Sequence, residues 1–210
     1  EMFVPLEHPA GDAQADFGEA LVEIAGVERK AHYLAVDLPH SDAPFIKAYP
    51  AETTEAFLDG HVSAFAFFAN RSETGQAGVP QSILYDNTKL AVARILCDGR
   101  RTRTQAFTGL ISHYLFRDRF GRPGKGNDKG KVEGLVKNGR RRFLTPVPSA
   151  SSYDELNARL ETHCREEWDR RAGRHTETIG ERLMADLAQF RSLPAGHFEA
   201  CEKRAGRVSS

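Results

Sequence analysis

Cysteine is scarce in this chain of 210 residues: Cys97, Cys164 and Cys201 are odd in number, far apart and free of any C-x-x-C pair. That excludes a disulfide framework and a zinc knuckle. Long hydrophobic runs are missing too. The longest near-apolar stretch, Val62 to Ala69, is interrupted by Ser63 and is far too short to cross a bilayer. The opening residues carry no basic-then-apolar leader pattern. No membrane partner and a cytoplasmic location are therefore expected. Glycine (18) and proline (10) stand at ordinary levels, which excludes collagen-like and low-complexity chains. Common catalytic signatures are absent as well. There is no H-E-x-x-H and no G-x-S-x-G. The Gly-rich stretch Gly121–Lys131 lacks the phosphate-loop spacing, because Lys131 is followed by Val132 and not by Ser or Thr. The eight histidines are scattered and suggest surface or core positions.

What the chain does have is charge, unevenly placed. The net charge is zero, but residues 1–86 carry −10, residues 87–142 carry +11 and residues 143–210 carry −1. Within the basic block Arg122, Lys125, Lys129, Lys131, Lys137, Arg140, Arg141 and Arg142 crowd together against only Asp128 and Glu133. Such a block is the footprint of a polyanionic partner, and DNA is the expected one. The bland alternative is a solvated face balanced by the acidic third.

Patterning predicts a mixed α/β chain. Residues 15–24 and 28–38 read as a hairpin turning at Gly26, and 44–49 as a third strand ended by Pro50. A helix over 54–69, capped by Thr53 or Thr54, places Phe57, Leu58, Val62, Phe65 and Ala69 on one face. Residues 70–78 read as a polar loop and 80–86 as a short buried strand. The pattern then gives a helix over 88–96, a basic turn over 98–103, a helix over 104–111 and a fifth strand over 113–116. Asn127 caps a helix running to about Arg142. Two last helices span 153–171 and 177–193.

Three acids stand out by position. Asp16 lies inside the first strand between Ala15 and Phe17, Asp86 ends a buried strand, and Glu133 lies in the basic helix. A carboxylate in an apolar strand is costly unless it meets a cation or donors. Asp86 alone also fits a turn, and Glu133 alone fits an ion pair with Lys129 or Lys137. Together the three make a hard-oxygen cage of the kind Mg²⁺ or Mn²⁺ prefers. Beside a phosphate-seeking surface, that is the arrangement of two-metal phosphoryl transfer. Asp128 is the rival third acid. It sits five helical positions from Glu133, on another face, and Glu133 has Val132, Leu135 and Val136 beside it to pack the helix on a sheet.

These segments carry a resemblance. Gln14–Glu19, Ile83–Lys89 and Gly121–Glu133 resemble the three signature segments of DDE transposases with a retroviral-integrase-like catalytic core. With Thr176–Leu183, the chain is similar to the IstA type of bacterial insertion-sequence transposase, from about Gly11 to Arg207. The resemblance implies an RNase H-like α/β fold: a mixed five-stranded sheet flanked by helices, then a C-terminal helical extension. It implies a catalytic core over 11–145, helices over 150–194 and the start of a further domain over 195–210. The resemblance also implies a helix-turn-helix segment before the core and a small β-barrel after it, both expected outside this stretch, in agreement with ends that read as cut. The activity implied is metal-dependent DNA cleavage and strand transfer, with Asp16, Asp86 and Glu133 holding two Mg²⁺ or Mn²⁺ ions. Arg122, Lys125, Asn127, Lys129, Lys131, Lys137, Arg140 and Arg141 are the expected DNA contacts. Implied partners are transposon-end and target DNA, further copies of the chain in the DNA complex, and an AAA+ ATPase helper. An RNase H-like nuclease without strand transfer and a non-catalytic DNA-binding remnant are the rival readings. The Asp86–Glu133 spacing exceeds that of retroviral integrases, and the excess falls at Thr88–Arg103.

Overall fold

The computed structural model describes residues 8–86, 89–95, 101–121 and 138–201. The chain opens with three antiparallel strands, β1 (Asp12–Ile24), β2 (Val27–Leu38) and β3 (Ala43–Tyr49). The β1–β2 turn is only two residues, Ala25 (φ 52°) and Gly26 (φ 76°), both left-handed, which matches the twist of the flanking strands. α1 (Thr54–Ala69) follows, and Thr53 Oγ1 caps it by accepting from the Ala56 N–H at 3.1 Å. Then come β4 (Ala77–Val79), β5 (Ser82–Tyr85), β6 (Val92–Ile95), β7 (Arg101–Arg103), α2 (Gln105–Tyr114) and β8 (Arg117–Phe120). Residues 138–143 are helical and are labelled α3. β9 (Ser149–Ala150), α4 (Tyr153–Glu166), a 3-10 turn (Glu167–Asp169), α5 (Ile179–Gln189) and β10 (Arg191–Ser192) complete the described chain.

The main sheet runs β3-β2-β1-β5-β8, with β9 adding a sixth short strand parallel to the end of β1. β5 and β8 join parallel to β1, so the sheet is mixed, as the sequence predicts. Its centre is apolar on both faces: Tyr33, Leu34, Ala35 and Val36 of β2 are all buried. Side-chain alternation sorts the faces. Phe17 and Tyr85 point to the side where α1 supplies Phe57 and His61 and α2 supplies Phe107. The opposite face carries Tyr33 and Ile46, and α3 lies there, with Gly139 so close that an added Cβ would sit 3.0 Å from Ile46 Cδ1.

Four readings are corrected. Residues 89–95, the described part of the helix expected over 88–96, are not helical: β6 pairs antiparallel with β7 as a ribbon of its own. Val92, Ile95 and Thr102 favour strands, and these short segments close on each other instead of packing an amphipathic face. The fifth strand is displaced from 113–116 to 117–120. α2 runs on through His113 and Tyr114 because Tyr114 packs its ring 4.8 Å from Phe65, and Leu115 ends the helix in the left-handed conformation. Ala77, in the expected polar loop over 70–78, and Val79 just after it pair with β10, so a second small ribbon forms. The last two helices are shorter than expected, ending at Glu166 and Gln189.

Side chains lock the excess segment to the sheet. Arg103 forks onto Asp118 of β8, Nε donating at 2.7 Å and Nη2 at 2.6 Å. Thr104, the cap of α2, donates its hydroxyl to the Leu90 carbonyl at 2.8 Å. At the other edge, Asn157 of α4 binds both backbone groups of Ala48 in β3: its Oδ1 accepts from Ala48 N–H (2.7 Å) and its Nδ2 donates to Ala48 C=O (2.9 Å). A side-chain amide thus takes the place of one residue of a missing strand.

Candidate metal and nucleic-acid site

β1 and β5 run side by side and parallel, with Ala13 opposite Ile83, Gln14 opposite Leu84 and Ala15 opposite Tyr85. The next residue on each strand is an aspartate, Asp16 and Asp86. Neighbouring strands lie about 4.8 Å apart, so two acids distant in sequence arrive as neighbours. The alternation puts Asp16 on the α3 face, and continuing the β5 register puts Asp86 there too. The C-terminal end of a parallel strand beside a central strand is where open α/β sheets place their ligands.

The electrostatics of Asp16 fit a site built for a cation. Burial pushes its carboxyl from 3.8 up to about 7; the Phe17 backbone N–H opposes the rise, and the negative charges of Asp86 and Glu52 add to it. That N–H donates to Asp16 Oδ1 at 2.9 Å. Burial is the largest of these causes, as the cost of a carboxylate in an apolar strand predicts. Glu52, in the loop between β3 and α1, is the acid that sequence reasoning missed. Nothing in the residue pattern ties it to Asp16, and only the crossover from β3 to α1 brings it near.

Glu133 lies outside the described residues, as do Arg122, Lys125, Asn127, Lys129, Lys131 and Lys137. Among the described residues no three metal-binding side chains converge. The described end of the predicted 127–142 helix, α3, does sit on the face that carries Asp16. Arg140 and Arg141 are exposed on it, with the charge of Arg140 acting on the phenol of Tyr33 beneath. Arg142 is exposed as well, but it pairs with Glu167 and feels Asp37 and Asp42, which ties α3 to the 3-10 turn.

A mixed sheet in this strand order, with helices on both faces, is an RNase H-like fold. The backbone matches a chain of the simian T-cell lymphotropic virus intasome, solved in complex with PP2A regulatory subunit B56 gamma. The TM-score is 0.55 at 13% identity, over 98% of this chain and 66% of that one. No family model matches the chain. Its sequence is homologous to insertion-sequence transposases. It is 33% identical over 212 residues to the transposase for IS1326/IS1353 of Pseudomonas aeruginosa, covering 99% of this chain and 40% of the relative. It is 34% identical over 167 residues to a transposase of Aminobacter aminovorans, covering 79% of this chain and 31% of the relative. It is also 29% identical over 192 residues to the IS21 transposase of Pseudomonas aeruginosa, covering 91% of this chain and 47% of the relative. The chain thus spans less than half the length of these curated relatives.

Proposed function

We propose that this chain is the catalytic region of a DDE transposase that cleaves DNA at the ends of an insertion sequence and joins them to a target. The observation that carries the reading is the pairing of Asp16 with Asp86 at adjacent strand ends, in a chain homologous to transposases. The donor set fits a hard divalent cation: carboxylate oxygens, with burial first and then the charges of Asp86 and Glu52 disfavouring the ionised form of Asp16, which a cation would stabilise. Asp16 and Asp86 would hold Mg²⁺ or Mn²⁺ with Glu133 as third ligand. When bound, two such ions supply Lewis-acid activation of the scissile phosphate and of the attacking oxygen.

The protein's own part is to place charge and to hold DNA. Asp16 must give up its proton to act as a ligand, and its backbone bond from Phe17 leaves the second oxygen uncommitted to that donor. Arg140 and Arg141, together with Arg122, Lys125, Asn127, Lys129, Lys131 and Lys137, are assigned to DNA phosphates. Such contacts fix position without reading sequence. Residues 11–145 would form the core, 150–194 its helical extension and 195–210 the start of a following domain. Further copies of the chain and an AAA+ ATPase helper are the expected partners, in the cytoplasm where the DNA lies. Among the described residues no helix is long and apolar enough to cross a membrane.

The test is Asp86→Asn in divalent-ion-dependent nicking and end-joining assays. The variant keeps the shape of the side chain and removes a ligand charge. Loss of both activities by at least 100-fold, with DNA binding retained, is expected. Joining at the wild-type rate removes Asp86 from the mechanism, and nicking without any joining favours a plain nuclease.

A further inference from the structure

The layer between α1 and β5 is almost entirely aromatic, and one polar pair is set inside it. Tyr85 and His61 are both fully buried. Phe57 lies 4.5 Å from the His61 ring, and Phe107 and Phe120 lie 5.3 and 5.9 Å from the Tyr85 ring. The directions of the hydrogen bonds follow from chemistry. The Phe57 carbonyl only accepts, so His61 Nδ1 carries the proton and donates to it at 2.7 Å. His61 Nε2 is then the acceptor for the Tyr85 hydroxyl at 2.9 Å. Burial lowers the imidazole to about 4, so the ring is neutral and in one tautomer at neutral pH.

Two apolar rings would fill this space without a polar atom to satisfy, so the pair is not needed to make a core. Its position suggests what it does. Tyr85 immediately precedes Asp86, and its Cα is opposite Ala15, the neighbour of Asp16. Ring packing alone lets a strand end slide by fractions of an ångström. A directional bond at the far end of the Tyr85 ring fixes that slide against α1.

We infer that the Tyr85–His61 hydrogen bond is a positioning device for Asp86: it ties the strand residue before the carboxylate to α1 and so sets the spacing between Asp86 and Asp16. Tyr85 and His61 are positioning residues and touch neither ion nor DNA. This inference rests on the reading of Asp16 and Asp86 as cation ligands.

The probe is Mn²⁺, with binding followed by electron paramagnetic resonance on the whole chain, well below the melting temperature of each variant. Tyr85→Phe removes one oxygen and leaves His61 Nε2 unpaired. It should melt lower and bind Mn²⁺ at least fivefold more weakly. The double variant His61→Leu/Tyr85→Phe leaves no unpaired polar atom at this contact and should regain melting temperature without regaining affinity. A merely structural pair would restore both together. Wild-type affinity in Tyr85→Phe, or in the double variant, overturns the inference. If the double variant does not fold, Tyr85→Phe alone decides. Asp86→Asn is the control: if it binds Mn²⁺ as tightly as wild type, or wild type binds none, the reading of the acid pair itself fails. If Asp86→Asn loses binding while Tyr85→Phe keeps it, only the positioning role is lost.

Discussion

Asp16 is the residue on which the proposed chemistry and the stability of this protein oppose each other. Its carboxyl sits at about 7 in the folded chain against an ordinary 3.8, chiefly through burial. The folded state therefore holds a proton that the unfolded chain releases between those values. Stability falls as pH rises through that window, because the native state binds more protons there. In chelator, Asp16→Asn should be more stable than wild type above pH 7 by on the order of 2 kcal/mol, after discounting for partial exposure. The gap should close toward pH 4, where both side chains are neutral. Denaturant melts at several pH values check this. Asp37 is also pushed up to about 7, by burial first and then by Asp42, so wild type and variant must be compared pairwise to isolate Asp16. A wild type as stable as the variant at pH 8 would mean that the carboxylate is already compensated.

Elements are held here by close approaches and by side chains that stand in for backbone. β4 crosses α1 at Gly78, where an added Cβ would lie 2.1 Å from the Phe65 carbonyl oxygen and 2.8 Å from Ala69 Cβ. Gly78→Ala should cost about 1–3 kcal/mol, read by denaturant melts, since backbone cannot give way as a flexible side chain would. Asn157→Ala should cost a similar amount, about 1–3 kcal/mol, by unpairing both groups of Ala48. It should also raise concentration-dependent aggregation, followed by light scattering, because it uncovers the β3 edge. The elements that were legible in sequence share strong local signals. Thr53 before a run of apolar residues at helical spacing marked α1, and strand apolarity on both faces marked β2. The Asp16–Asp86 pair was legible because charged residues inside apolar strands are costly enough to need a reason. The β6–β7 ribbon was not, since short strands pairing only with each other carry little periodicity. Asp98-Gly99, a hairpin signal between them, lies outside the described residues. Arg103 on Asp118 and His61 on Tyr85 were also illegible, because such contacts depend on which elements meet.

Across the whole molecule, an acidic first third supplies the strands that carry Asp16 and Asp86, and a basic middle third follows them in sequence. Both are needed if a polyanion is to be brought to a pair of carboxylates. The basic part should grip phosphates by charge, so affinity for DNA should fall steeply with salt, with a log–log slope of about −0.9 per phosphate neutralised. Changing Lys125, Lys129 and Lys137 together to Ala should weaken binding equally on end and non-end DNA and make that slope shallower by up to about three. Discrimination of ends by this chain of more than about tenfold would contradict the assignment of those lysines to the backbone. On the proposed function a cation would reconcile the acids with the DNA, and its binding would be read at Asp16 itself. A ¹³C carboxyl titration of Asp16 with and without Mg²⁺ should show a midpoint near 7 in chelator and a midpoint at least one pH unit lower with the ion present. The same midpoint under both conditions would contradict the metal-holding role of the acid pair.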